Sequence, residues 1–212
     1  MLFIISCDIR GIYRKGICFM TEKIARWLMF LLVISFTPAF AANTVNNTAE
    51  SPKCSYGIEI DALPYVTGGS YISSWIGREK YRLRLVLSDV NIPEFIYSDN
   101  FKDWNSKARA IIFDYFWNPQ KQPLSGPWIG FGLERWDNEI VEKSSGAKAS
   151  FDQEMLTVGG GYVHYLSKHC FINPWVAGHL RLNGDSNIQV GSKTFKNKPL
   201  QFEASLKLGW EF

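Results

Sequence analysis

Apolar and polar residues alternate along much of the chain between Cys54 and Phe212. The pattern is clearest in Leu200–Phe212, where large apolar residues and alanine occupy every second position and polar residues or glycine fill the positions between. Side chains of a β-strand point alternately to opposite faces, so this segment is predicted to be a strand with one apolar face. Its 13 residues are enough to cross a bilayer, since a tilted strand needs about 9–11. The alternative is an edge strand of a soluble β-sandwich.

The same pattern predicts eight strands, separated by Pro, Gly and polar runs that indicate turns. The predicted strands are Cys54–Asp61, Ser70–Ile76, Tyr81–Ser88, Ala108–Trp117, Pro127–Ile140, Phe151–Leu166, Cys170–Asn183 and Leu200–Phe212. Short turns alternate with long loops, which places the short connections at one end of the sheet. An even strand number with connections sorted in this way predicts an all-β fold, an eight-stranded antiparallel up-and-down transmembrane β-barrel spanning residues 54–212.

The last strand resembles the closing strand of Gram-negative outer-membrane β-barrels, because Leu206, Leu208 and Trp210 alternate before a final Phe212. The architecture is similar to the OmpA transmembrane domain and to OmpW-type proteins. The resemblance implies a monomer in the bacterial outer membrane, in contact with outer-membrane lipids and lipopolysaccharide. It also implies that these four residues form the signal read by the outer-membrane assembly machinery.

The segment Met20–Ala41 has the three parts of a secretory signal peptide. Lys23 and Arg26 precede the unbroken apolar run Trp27–Phe36, and Ala39–Ala41 forms an A-x-A cleavage site. We therefore expect residues 1–41 to comprise an upstream extension and a signal peptide, with Met20 as the true start and cleavage after Ala41. The polar residues 42–53 are predicted to be a flexible periplasmic leader.

Removal of this leader changes the charge balance. Of 23 basic and 20 acidic residues, five basic and two acidic ones lie in residues 1–41, which leaves 18 of each sign. A mature protein without net charge lacks the broad positive field that attracts nucleic acid, and no nucleic-acid partner is predicted.

If the apolar faces contact lipid, the opposite faces fill the barrel. The inferred interior polar set is Glu59, Asp61, Arg82, Arg84, Asp114, Glu134, His179, Arg181, Glu203 and Lys207. An eight-stranded barrel is narrow enough to be filled by side chains, and buried charges are tolerated when they are paired. These residues predict a lumen closed by salt bridges and a structural or surface-interaction role. A narrow channel for small solutes is the alternative.

Two cysteines and two groups of aromatic residues suggest further contacts. Cys54 and Cys170 could form one disulfide, the alternative being two free thiols. The polar stretch Asp89–Lys107 is predicted to be a loop, and its aromatic residues are candidates for an external contact: Phe95, Tyr97, Phe101 and Trp104. Other aromatic residues near strand ends are predicted to form girdles at the level of the lipid headgroups: Tyr71, Trp75, Tyr81, Trp117, Trp128, Trp136, Tyr162 and Trp210.

Enzymatic chemistry is weakly indicated. Lipid A deacylases of the outer membrane carry a Ser two residues after a His, and none of His164, His169 and His179 has one. His179 with Asp185 and Ser186 loosely imitates the palmitoyltransferase set, and His179 beside Glu134 could act as a general base. A lipid A- or phospholipid-modifying enzyme therefore stays as an alternative, with no catalytic residue assigned and no metal or cofactor predicted.

Overall fold

The computed structural model describes residues 54–117, 119 and 122–212, and within them the chain forms a closed antiparallel barrel. The barrel strands are β1 (Cys54–Asp61), β2 (Ser70–Arg78), β3 (Tyr81–Asn91), β4 (Phe101–Phe116), β5 (Gly126–Glu142), β6 (Lys148–Tyr165), β7 (Cys170–Asn183) and β10 (Leu200–Glu211). Each pairs with its neighbour in the chain, and β10 closes the ring on β1. The predicted eight-stranded up-and-down barrel is confirmed. The signal peptide, its cleavage site, the start at Met20 and the flexible leader lie outside the described residues.

The barrel is apolar outside and charged inside. Along β3, Leu83, Leu85 and Leu87 are 39–58% exposed, whereas the alternating Arg82 and Arg84 are 1–2% exposed. A soluble barrel buries its apolar faces in a core, so this arrangement is the inverse one. It is the side-chain arrangement of a barrel that spans a membrane.

Several strands run further than the sequence pattern predicts, among them β4, β5 and β6. β4 begins at Phe101 rather than Ala108, β5 ends at Glu142, and β6 begins at Lys148. Beyond the apolar band, the outward-facing residues of these three strands are charged, so apolar and polar residues no longer alternate there. Ion pairs between neighbouring strands connect these charged residues. The shortest N–O distances are 2.5 Å for Arg109–Asp137, 2.9 Å for Arg135–Asp152 and 2.8 Å for Lys148–Glu139.

The wall between β1 and β10 is incomplete. These strands pair only from Gly57–Glu211 to Asp61–Lys207, whereas β10 continues to Leu200 beside β7. A short helix, α1 (Ala62–Val66), follows β1 at this point and packs against β2, β3 and β10. Asp61 caps it by accepting a hydrogen bond from the Leu63 amide at 3.1 Å. No helix in the described part of the chain is long and apolar enough to cross a membrane.

The two ends of the barrel are closed differently. The base end, where the turns 79–80 and 166–169 lie, holds an apolar base cluster of Trp75, Phe116, Leu124, Trp128, Val163, Phe171, Trp175 and Ala177. The opposite cap end carries a hairpin of β8 (Asn187–Val190) and β9 (Lys193–Lys196). This hairpin completes a cap cluster of Phe101, Trp104, Ile140, Phe151, Ile188, Val190 and Phe195.

Candidate functional site: the barrel lumen

A four-residue salt-bridge network lies above the base cluster. The Arg82 guanidinium donates to Glu59 Oε1 at 2.9 Å and to Asp114 Oδ2 at 2.8 Å. Arg84 donates to both Asp114 oxygens, at 2.7 and 2.8 Å. All four side chains are at most 3% exposed, so two buried carboxylates balance two buried guanidinium groups.

Strand register and one glycine make room for this network. β3 pairs with β4 so that Arg82 lies directly opposite Asp114. On the next strand Gly130 pairs with Asp114, and a Cβ at Gly130 would lie only 2.4 Å from Asp114 Oδ1. The carboxylate therefore occupies the space that a side chain at position 130 would fill.

Aromatic residues seal the network from the base end. The Trp128 ring centroid lies 5.5 Å from the Arg82 guanidinium carbon and 4.9 Å from that of Arg84. Its Nε1 donates to Asn173 Oδ1 at 2.9 Å, and the Asn173 amide donates to Glu59 at 3.1 Å. Each guanidinium is therefore held by carboxylates along its edge and by an aromatic ring on its face.

This packing corrects the predicted aromatic girdles. Tyr71, Trp75, Trp128 and Trp136 point into the lumen and are 1–9% exposed. The other four predicted members, Tyr81, Trp117, Tyr162 and Trp210, do lie on the outside. A lumen with several glycines leaves large gaps, and the inward rings fill them.

A second polar group lies nearer the cap end, around His179. The His179 Nδ1 lies 2.8 Å from Thr157 Oγ1 and 3.6 Å from Glu134 Oε1, and its Nε2 lies 3.4 Å from Glu203. Trp136 also donates to Glu134. The imidazole therefore lies between two carboxylates, and both of its nitrogens face polar groups of the lumen.

Arg181 is the one member of the predicted interior set that lies elsewhere. Its guanidinium donates to the backbone oxygens of Asp185 and Asn197, at 2.8 and 3.0 Å, and to Ser186 Oγ at 2.7 Å. Arg181 occupies an inward-facing position of β7, but it lies at the cap end of that strand, beside the loops. Arg181 thereby holds the loop that carries the hairpin, and Asp185 and Ser186 are engaged with it rather than with His179.

Asp61 and Lys207 are both buried and face each other across the β1–β10 pairing. Asp61 accepts hydrogen bonds from Ser205 and from the Leu63 amide. The Lys207 ammonium lies 3.7 Å from the Trp175 ring centroid and 4.7 Å from that of Tyr71. Among the described residues no carboxylate oxygen lies within 4.0 Å of it.

The predicted external aromatic contact is wrong for two of its four residues. Phe101 and Trp104 are 2% and 6% exposed, because Phe195 of the hairpin packs on both rings with centroids 5.4 and 5.2 Å away. Tyr97 is half-buried against Trp104, whereas Phe95 is 80% exposed. Sequence reasoning missed the hairpin, although Ile188 and Val190 alternate before a Gly191–Ser192 turn.

The predicted disulfide is not confirmed, since Cys54 and Cys170 are both free thiols. Cys170 pairs with Trp210, which pairs in turn with Ile58. Cys54 therefore lies four positions further along β1, roughly 13 Å at the rise of a strand, well beyond the span of a disulfide. The predicted assembly-signal residues Leu206, Leu208, Trp210 and Phe212 point outward and are 41–59% exposed.

A buried carboxylate ties the hairpin to the β5–β6 turn. Glu142, at the end of β5, accepts hydrogen bonds from the hydroxyls of Ser145, Ser192 and Ser144 and from the Ser192 amide. These bonds, led by those from the Ser145 and Ser192 hydroxyls, lower the pKa of Glu142 to about 2.

The lowered pKa predicts an acid-sensitive hairpin. The contribution of ionised Glu142 is complete above its ordinary pKa of 4.5 and is lost as the pH falls towards 2. We expect pepsin to cut the hairpin of the wild-type protein increasingly fast, relative to a pepsin standard peptide, between pH 4 and pH 2. Glu142→Gln should be cut fast already at pH 4, and the control Glu139→Gln, which loses an exposed ion pair, should match the wild type. Equal cleavage of Glu142→Gln and wild type at pH 4 would contradict this role.

Comparisons with known proteins give few matches. No protein-family model matches the chain, and neither does any curated protein. Among solved structures, the N-terminal β-barrel domain of Pseudomonas aeruginosa OprF aligns with a TM-score of 0.47 at 14% identity, covering 76% of this chain and 100% of that one. Neisserial surface protein A aligns with a TM-score of 0.44 at 12% identity, covering 75% and 94%. Nothing about function follows from values this low.

Proposed function

We propose that this protein is an outer-membrane β-barrel with a structural or surface-interaction role, and that its lumen does not conduct. The observation that carries the proposal is the closure of the base half of the lumen. The salt-bridge network of Glu59, Arg82, Arg84 and Asp114 lies directly on the base cluster. A solute moving along the lumen would have to separate four buried charges and displace Trp128, which is 1% exposed.

Three features support the outer membrane as the location. The outward band is apolar on every barrel strand, so it suits a lipid environment. The closed ring leaves most backbone groups paired, which a membrane requires. The sequence before the barrel carries the features of a secretory signal peptide.

The proposed partners follow from the surfaces of the barrel. The apolar band contacts outer-membrane lipids, and the cap end, with Phe95 and Lys193 exposed, contacts lipopolysaccharide or an external surface. Leu206, Leu208, Trp210 and Phe212 serve as the signal for the assembly machinery, as their alternation predicts. No observation favours a catalytic role over this one.

Membrane location is tested by fractionation and by gel migration. The protein should appear in the outer-membrane fraction, require detergent for extraction, and migrate differently before and after heating, since folded barrels resist unfolding by detergent. A soluble periplasmic protein with no shift on heating would overturn the proposal.

Planar-bilayer recording tests the closed lumen. The purified protein, in the folded form that shows the heat-dependent gel shift, should give no stepwise conductance above that of detergent alone. The reason is that, among the described residues, the salt-bridge network and the base cluster fill the base half of the lumen. An open porin in the same bilayer is the positive control. Reproducible unitary steps that scale with protein concentration would show that the lumen conducts, and the narrow-channel alternative would replace this proposal.

A further inference from the structure

The cap half of the lumen contains a cavity of about 90 Å³ above the salt-bridge network. This volume corresponds to roughly six to nine water molecules, at the smallest cavity volume that can hold one water. One wall is the buried apolar group Tyr71, Val86, Ala110 and Ile112. The space is therefore narrow and largely apolar, and it suits an unbranched chain better than a bulky ring system.

Lys207 is one of five acidic or basic residues that line this cavity, the others being Arg84, Glu134, His179 and Glu203. Its side chain is 1% exposed and lines the space together with Trp175 and Tyr71. By contrast, each of the two buried cations of the salt-bridge network, Arg82 and Arg84, contacts a carboxylate at 2.9 Å or less. Within the described part of the chain, no carboxylate oxygen lies within 4.0 Å of the Lys207 ammonium, which lies against the Tyr71 and Trp175 rings. A buried ammonium without a directly paired anion is unfavourable.

The carboxylates around Lys207 are committed to other donors. Glu59 is bound by Arg82, Ser73 and Asn173. Glu203 lies beside His179, and Asp61 Oδ1 is held by Ser205 and by the cap of α1. Asp61 Oδ2 has no hydrogen-bond partner, so Asp61 is the internal competitor for Lys207.

The cavity is bounded on one side by a helix rather than by a strand. Leu63, Pro64 and Thr67 line it from α1 and the residue after it, where β10 is paired with β7 but no longer with β1. On the outside, Leu63 also borders a groove with Leu206 and Val176. A single side chain of α1 thus touches both the cavity and the apolar outer surface.

From these four observations we propose that the lumen binds a small carboxylic acid with an unbranched apolar chain. The carboxylate pairs with the Lys207 ammonium, and the chain lies along Val86, Ala110 and Ile112. The ligand supplies the anion that the folded chain does not place beside Lys207. This goes beyond the proposed structural role, and a non-conducting barrel could lack the site.

The test uses [1-¹³C]octanoate as the probe, titrated into the full protein in lipid nanodiscs and followed by its carboxyl resonance. Empty nanodiscs give the background of partition into lipid. The wild type should show one saturable site, which Lys207→Met weakens at least tenfold and Lys207→Arg largely restores. The control Lys148→Met, at an exposed lysine on β6, should bind like the wild type. Octanol should bind at least tenfold more weakly than octanoate, and acetate should not compete.

Two further variants keep the proposal falsifiable if Lys207→Met does not fold. Ala110→Phe fills the cavity and leaves Lys207 in place, so it should abolish saturable binding while the heat-shifted gel band persists. Asp61→Asn removes the internal competitor and should tighten binding. The proposal is wrong if the wild type shows no saturable site, or if binding survives unchanged in Ala110→Phe and in the folded Lys207 variants.

Discussion

Replacing Asp114 with Asn is expected to lower the free energy of unfolding by about 3–5 kcal/mol, because it removes one anion from a buried and charge-balanced network. Arg82 and Arg84 would then share Glu59 alone, at 2.9 and 3.7 Å. The measurement is urea-induced unfolding of the protein in lipid vesicles, monitored by tryptophan fluorescence.

Two variants make the effect specific to burial. Asp137→Asn breaks an ion pair of similar length with Arg109, but both partners are at least 42% exposed, and exposed pairs contribute about 0–1 kcal/mol. Adding Arg84→Met to Asp114→Asn should recover part of the lost stability, because it removes one of the two cations that would otherwise share Glu59. If Asp114→Asn destabilised no more than Asp137→Asn, the network would not hold the lumen together.

Placing an arginine at Leu85 is expected to destabilise the barrel by about 2–4 kcal/mol in lipid vesicles, the range for a cation facing lipid near the bilayer midplane. Leu85 is 53% exposed on the outer face, and its cross-strand neighbour Ile111 is also exposed and apolar. The same vesicle assay gives the difference from the wild type.

Ser150→Arg is the matched control for this substitution. Ser150 also points outward but pairs with Glu139, beyond the apolar band, where an added cation costs about 0–1 kcal/mol. A soluble barrel would tolerate both arginines equally, since both face the solvent. Equal effects at positions 85 and 150 would therefore overturn the assignment of the apolar band to lipid.

The period-two pattern predicted much of this molecule from the sequence. The alternation of positions alone predicted that Glu59, Arg82 and Arg84 face the lumen and that Leu83 and Leu85 face outward, because a residue in a strand can point to only two faces. Trp128 shares the inward face of β5 with Glu134, and its position near a strand end led to the wrong prediction that it belongs to an outer girdle. On β2 the alternation did not show which face is inward, because both faces carry large apolar side chains: Tyr71 and Trp75 on one, Ile72 and Ile76 on the other.

The remaining features depend on contacts that local sequence does not encode. Arg109 pairs with Asp137 from the next strand, so polar stretches that resemble loops are held as strands. Phe101 and Trp104 are covered by a hairpin more than 80 residues later in the chain. Lys207 has no directly paired carboxylate because Glu59 and Asp61 are bound by other donors. The spacing of residues along the sequence does not predict those contacts.

The short closing seam sets the order in which the ring comes apart. β1 and β10 pair only over Gly57–Asp61, whereas β5 and β6 pair over Gly126–Val141. Strand separation is cooperative along a ladder, so the shortest ladder has the lowest barrier to local opening. Unfolding should therefore begin by unzipping of the first strand from the last, and refolding should end there, with the β3–β7 sheet formed before the cylinder closes.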